Sequence, residues 1–195
     1  LCGLAVDPPN RVAVPVEDIQ IDGDLSDWPQ DMRRYPILLP EAGDAPQDAA
    51  DFQASFRLGY NLRENALYVA VEVVDESYVV DPSGGAWNTQ DGCEVYVDLQ
   101  HLEQDSPAVQ YNLFGRERSV LGPAADEDFA VAVKQGENKL FYEWRIGVGR
   151  VSKGAVRLQP DQVVGLDVVV EDKDEDGSFS WMAWGRWTIK VSSTE

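Results

Sequence analysis

The feature that most constrains this chain is a period of two in its apolar residues, recurring from about residue 52 onward. Phe52, Ala54, Phe56, Leu58 and Tyr60 alternate with Gln53, Ser55, Arg57 and Gly59. Successive side chains of a strand point to opposite faces, so each such run reads as a strand with one buried side. Leu67, Val69, Val71 and Val73 repeat the pattern, and Asn61-Leu62-Arg63-Glu64-Asn65 joins the two runs into a predicted hairpin. Cys93, Val95, Val97 and Leu99 share one face of another run. Further strands are predicted over 108–114, 129–134, 139–147, 163–171, 179–184 and 186–191. Gly136-Glu137-Asn138 and Asp174-Glu175-Asp176-Gly177 supply turns. No window sustains a helical period over three turns, and Leu25-Ser26-Asp27-Trp28 offers a single helical turn. About nine short strands predict an all-β chain, an antiparallel two-sheet β-sandwich of immunoglobulin-like or jelly-roll-like kind with very little helix.

The 195 residues suit one domain, which we place at 15–195. Residues 1–14 read as an export-signal remnant or linker. Gly3 and Ala5 have signal-peptidase spacing before Val6, while Cys2 offers a rival lipidation site. Either reading predicts a secreted, periplasmic or cell-surface location, within a larger exported or membrane-anchored protein. A net charge of −19 argues against nucleic acid and anionic membrane surfaces as partners. No apolar run reaches the roughly 18 residues of a membrane span, so no membrane insertion is expected. Cys93 reads as a small buried hydrophobe, and the chain has no paired-cysteine or cysteine–histidine cluster for zinc.

Two long loops are predicted, over 36–50 and 78–91. The second carries Trp87 among glycines and polar residues, an exposed setting. Glu94 and Tyr96 lie on the strand face opposite Cys93 and Val95. That face is either solvated or the lining of a sugar cleft. Trp144, Trp181 and Trp187 have in-phase apolar partners and read as core. Asp172-Lys173-Asp174-Glu175-Asp176-Gly177 matches the front half of a calcium loop, but position twelve is Ala183 rather than Glu. An EF-hand is thereby excluded, which leaves a calcium-capped hairpin through Asp172, Asp174 and Asp176, or a plain acidic turn. Catalysis lacks support. The one histidine, His101, has no G-x-S-x-G partner motif, and with 35 acids a carboxylate pair discriminates nothing.

Four stretches in order carry a resemblance. Ile21-Asp22-Gly23-Asp24-Leu25-Ser26-Asp27-Trp28 is similar to an IDG-x-(I/L)-(D/S)-x-x-W opening, with Trp28 one residue early. Residues 56–75 resemble a strand, a turn and an LYVAV-x-V-x-D strand. Trp87 to Asp98 resembles W-x-x-D-x-(V/C)-E-(I/V)-(F/Y)-x-D. Val164 to Asp172 resembles a late IGF-x-(I/V)-x-V-(N/E)-D strand. Together they resemble the family 9 carbohydrate-binding modules and the wider DOMON-like group. The resemblance implies a sandwich that binds a glycan without catalysis, two Trp rings enclosing a sugar while Glu, Arg, Gln and Asn bond its hydroxyls. Trp87 matches the first Trp and Glu94 the Glu. Asn112 stands in place of the Arg and Val169 in place of the Gln. The second Trp loop is deleted, with Trp184 as a substitute. The expected sugar-binding set is Trp87, Glu94, Tyr96, Asn112 and Trp184, and calcium, familiar in the family, is the expected structural cofactor. Two other readings stay open: a sensory or assembly ectodomain that binds a protein partner, and a haem-binding relative using Met32, Met182 or His101.

Overall fold

The computed structural model describes residues 12–99, 108–122, 129–149 and 157–185. Among these the chain runs through β1 (Val14–Pro15), β2 (Tyr35–Ile37), β3 (Leu39–Gly43), β4 (Gln53–Asn61), β5 (Ala66–Val74) and β6 (Gly92–Asp98). It continues through β7 (Val109–Phe114), β8 (Glu117–Leu121), β9 (Phe129–Gly136), β10 (Lys139–Gly147), β11 (Gly165–Lys173) and β12 (Phe179–Ala183). Two short 3-10 turns, Leu25–Asp27 and Trp87–Thr89, are the helical structure among the described residues. The first sheet has the order β1-β4-β5-β10-β9, with β2 also on β4, and the second has β3-β12-β11-β6-β7-β8. All pairings are antiparallel except β1 with β4. The expected two-sheet sandwich is therefore the observed fold.

The alternating residues pack where the period placed them. Phe56, Val69, Val71, Tyr142 and Trp144 of the first sheet meet Val95, Val97, Tyr111, Val168 and Val170 of the second in one core. Burying each such side chain stabilises the fold by about 1.5–3 kcal/mol. Phe129 links the layers, edge-on to Tyr111 at 5.2 Å and stacked on Trp144 at 6.2 Å. The hairpin turns use residues that accept left-handed backbone: Asn65 at φ 54°, Asn138 at φ 51° and Gly177 at φ 100°.

Four strands escaped the sequence reading, the short β1 and β2 and two edge strands, β3 and β8. Residues 36–50, expected as a loop, contain β3, and β8 follows β7 directly. Both lie at sheet edges with mostly exposed residues, so neither shows the one-sided alternation that marks a buried strand. An edge also tolerates Pro40, since a proline cannot donate to an inner ladder. The expected strand over 186–191, with Trp187, lies outside the described residues, as do Cys2 and His101.

The outer face of the first sheet is covered by the N-terminal segment. Val16, Leu25 and Trp28 pack there on Ala66, Tyr68 and Ala70. Glu143 of β10 anchors this cover. It accepts hydrogen bonds from Trp28 Nε1 at 2.7 Å, from the Asp22 amide at 3.0 Å and from the Gly23 amide at 2.9 Å. The opening motif thus does a mechanical job: its glycine turns the chain at φ 80°, and its tryptophan closes over the sheet.

Candidate functional site

The site grows from one row of residues across the outer face of the second sheet. In register, Ser119 faces Asn112, Asn112 faces Glu94, Glu94 faces Val169, and Val169 faces Ala183. Alternation puts Tyr96 and Gln110 on the same face, one step along β6 and β7. The solvated reading of this face fails, because Glu94 is only 4% exposed and Tyr96, Gln110 and Asn112 are buried with it.

Burying a carboxylate costs heavily unless it is hydrogen-bonded, and Glu94 is held on both oxygens. Tyr96 donates its hydroxyl to Oε2, and Gln110 Nε2 donates to Oε1 at 3.0 Å. Burial, reinforced by the Glu94 charge, pushes the Tyr96 hydroxyl well above its ordinary range. The same two causes push the neighbouring Glu171 carboxyl well above its ordinary range. Asn112 donates Nδ2 to Ser119 Oγ at 3.2 Å. Its Oδ1 and the Oε1 of Gln110 are buried with no hydrogen-bond partner among the described residues. These are two acceptors aligned beside a carboxylate, where donors are missing.

The aromatic residues divide differently from the sequence expectation. Trp181, read as core, lies on this outer face with Tyr96, Val169 and Ala183, and donates Nε1 to Glu171 at 2.9 Å. Trp184 lies on the other side of the sheet. Its ring packs edge-on to Phe56 at 5.3 Å, against the inter-sheet core. Trp87 is 45% exposed and sits edge-on to Phe179 at 5.2 Å. Phe179 and Trp181 share a phase along β12, so Trp87 stands at the rim of the Glu94 face. Of the five expected sugar residues, the fold gathers Glu94, Tyr96 and Asn112, adds Trp87 at the rim and turns Trp184 inward. Gln110, Glu171 and Trp181 were missed. The phase of β7, which pairs Gln110 with Asn112, was the available signal for the first of them. Met182 belongs to the inter-sheet core while Met32 packs on the outer cluster of the first sheet, so the two do not converge.

A second cluster lies at the end of β11. Asp51, Asp172 and Asp174 bring carboxylate oxygens within 4.8 Å of one another, and so do Asp75, Asp91 and Asp172. Both oxygens of Asp172 and one of Asp174 are buried without a hydrogen-bond partner among the described residues. Burial first, and mutual repulsion with it, pushes Asp75 up to about 6, Asp91 to about 8 and Asp172 to about 9. Asp91 also ties loop to strand, accepting from the Val79 amide at 2.5 Å and the Lys173 amide at 2.7 Å. Asp176, expected as a ligand, instead is exposed and accepts from the Ser178 amide at 2.9 Å and hydroxyl at 2.6 Å. A two-residue step along the turn points Asp176 away, and long-range folding supplies Asp51, Asp75 and Asp91 in its place. An all-oxygen set with unsatisfied acceptors fits a hard divalent cation such as calcium.

A family model described as carbohydrate family 9 binding domain-like matches residues 21–191. The fold is similar to a carbohydrate binding module family 9 from Caldicellulosiruptor kristjanssonii in complex with cellotriose. The TM-score is 0.67 and the identity 20%, over 90% of this chain and 88% of that one. It is similar as well to a structure of a family 9 module from the same organism in complex with glucose, with TM-score 0.67 and 20% identity over 90% of each chain. No curated protein sequence gives a significant match.

Proposed function

The chain belongs to the carbohydrate family 9 binding domain-like family, and from that premise we propose that it is a non-catalytic module for a neutral glycan. The sugar lies against the outer face of the second sheet. Trp87 at the rim stacks on the apolar face of a pyranose ring. The Glu94 carboxylate, oriented by Tyr96 and Gln110, accepts the ring's hydroxyls, and the amide oxygens of Gln110 and Asn112 accept others. The observation that carries this reading is the pair of buried, unpartnered amide oxygens beside Glu94, with the half-exposed Trp87 ring at the rim of the same face. Sugar hydroxyls supply the donors these oxygens lack.

One stacked ring contributes about 1–2 kcal/mol and one hydrogen bond to a charged acceptor about 1.5–3 kcal/mol. That sum corresponds to binding near the millimolar range. Titration calorimetry with glucose, cellobiose and cellotriose tests the reading, with Trp87→Ala as the control. Binding that the variant abolishes supports it. No heat with any neutral glycan would overturn it and favour the protein-partner reading.

The aspartate cluster fits a structural calcium site within the same proposal. Asp172 and Asp174 present the open oxygens, and Asp51 and Asp75 stand beside them. A bound divalent ion supplies the positive charge that this set lacks. Asp91 then connects the cluster to the loop that bears Trp87, which links metal occupancy to the geometry of the sugar site.

A further inference from the structure

On the opposite side of the sandwich, the outer face of the first sheet holds a cavity of about 530 Å³. Register places its floor: Ser55 faces Glu72, Glu72 faces Phe141, and Phe141 faces Lys134. Arg57, one step along β4, lines the cavity with Arg34 and Asp24.

The charges here are distributed unevenly. Glu72 accepts from Arg34 Nη1 at 2.5 Å and from Lys139 Nζ at 2.5 Å, so both its oxygens are taken. Asp24 pairs with Lys134 Nζ at 2.8 Å. Glu143 is occupied by Trp28, Asp22 and Gly23, and Asp27 by the Gln20 amide at 2.8 Å. Arg57 is left over. It is only 4% exposed, its Nη1 is buried with no hydrogen-bond partner among the described residues, and its guanidinium lies over the Trp28 ring at 5.7 Å. Glu72, Glu143 and Asp27 act on it through space, but a buried guanidinium without a hydrogen-bonded anion remains costly, and its planar fork matches a carboxylate in two-point geometry.

We propose that this cavity is a second ligand site, which takes a carboxylate-bearing sugar ring, a hexuronate, with its carboxylate on Arg57. The rest of the cavity suits a sugar rather than a bare anion. Phe141 and Leu25 give apolar wall for the ring's C–H groups, and Ser26, Gln30 and Asp24 give hydroxyl partners. The volume accommodates one or two pyranose rings. This inference does not depend on the neutral-glycan site, since the two lie on opposite outer faces.

The test is an amide NMR titration of the intact protein with D-glucuronate, glucose and acetate. Glucuronate should shift the amides of Gly23, Asp24, Leu25 and Ser26, glucose should leave them unmoved, and acetate should act about tenfold more weakly. Arg57→Lys keeps the charge and the stem over Trp28 but loses the fork, and should weaken glucuronate binding about tenfold or more. Trp87→Ala should leave glucuronate binding unchanged while it abolishes neutral-glycan binding, which separates the two sites. Shifts confined to the amides of Gly92, Cys93 and Glu94 would overturn the proposal, and so would the absence of any shift with glucuronate. Equal affinity for acetate and glucuronate would overturn the sugar assignment. These wild-type shifts decide the matter even where Arg57→Lys does not fold.

Discussion

Trp28 and Glu143, 115 residues apart in sequence, are joined by an indole N–H to carboxylate hydrogen bond of 2.7 Å on the buried outer face of the first sheet. Glu143 also takes the Asp22 and Gly23 amides, so a single side chain fastens the N-terminal cover to β10. Replacing it with Ala strands three donors, each costing about 1–3 kcal/mol when buried and unpaired. Glu143→Ala should therefore destabilise the protein by about 3–5 kcal/mol in urea unfolding, and Trp28→Phe by about 1–2 kcal/mol. Equal stability of Glu143→Ala and wild type would mean the cover is held by apolar packing alone.

Gly23 turns the chain beneath that anchor at φ 80°, and a Cβ there would stand 2.7 Å from Lys134 Cβ and 2.9 Å from the Lys134 amide nitrogen. Gly23→Ala meets both a disfavoured backbone region and a clash with fixed backbone. A loss of about 2 kcal/mol or more is expected from chemical denaturation.

The aspartate cluster makes stability depend on pH in a direction opposite to ordinary salt-bridged carboxylates. Asp75, Asp91 and Asp172 are raised to about 6, 8 and 9 in the folded chain, from 3.8. Each then prefers its proton when folded. The stability so contributed is complete below about pH 4 and is lost as pH rises toward about 9. In chelator, the melting temperature should fall from pH 5 to pH 9. Calcium replaces the protons, so in excess calcium the fall should shrink, and Asp172→Asn should remove the difference. At a hundredfold excess over Kd the ion adds about 2.7 kcal/mol. Parallel melting profiles with calcium and with chelator would show that the cluster holds no calcium.

The two tryptophans first paired as sugar ligands should separate experimentally. Trp87 is 45% exposed and its one ring contact among the described residues is Phe179, so Trp87→Ala should abolish glycan binding yet cost no more than about 1 kcal/mol of stability. Trp184 packs on Phe56 and the core, so Trp184→Ala should cost about 2–4 kcal/mol through the cavity it leaves. Differential scanning calorimetry of the two variants checks this ordering. A destabilised Trp87→Ala would make Trp87 a packing residue.

The strands that build the core were readable from residues alone, because a sheet buried on one side must alternate, and Phe56, Val71, Val95 and Val170 do so. The turns at Asn65, Asn138 and Gly177 were readable for a similarly local reason, since few residues accept left-handed backbone. Glu94 and Tyr96 could be placed on one face by counting in twos along β6, and the family resemblance added Asn112. Edge strands β3 and β8 gave no such signal, because neither of their faces is continuously buried. What lay beyond reach was everything set by pairing across the sheets. Counting in twos puts Trp181 and Trp184 on opposite faces, but it cannot say which of the two turns in to the core, that the Glu94 face is covered, or that Asp51, Asp75 and Asp91 arrive at Asp172 from distant segments. Periodicity is a property of one strand, whereas burial of a polar face and convergence of carboxylates depend on which strands the whole chain brings side by side.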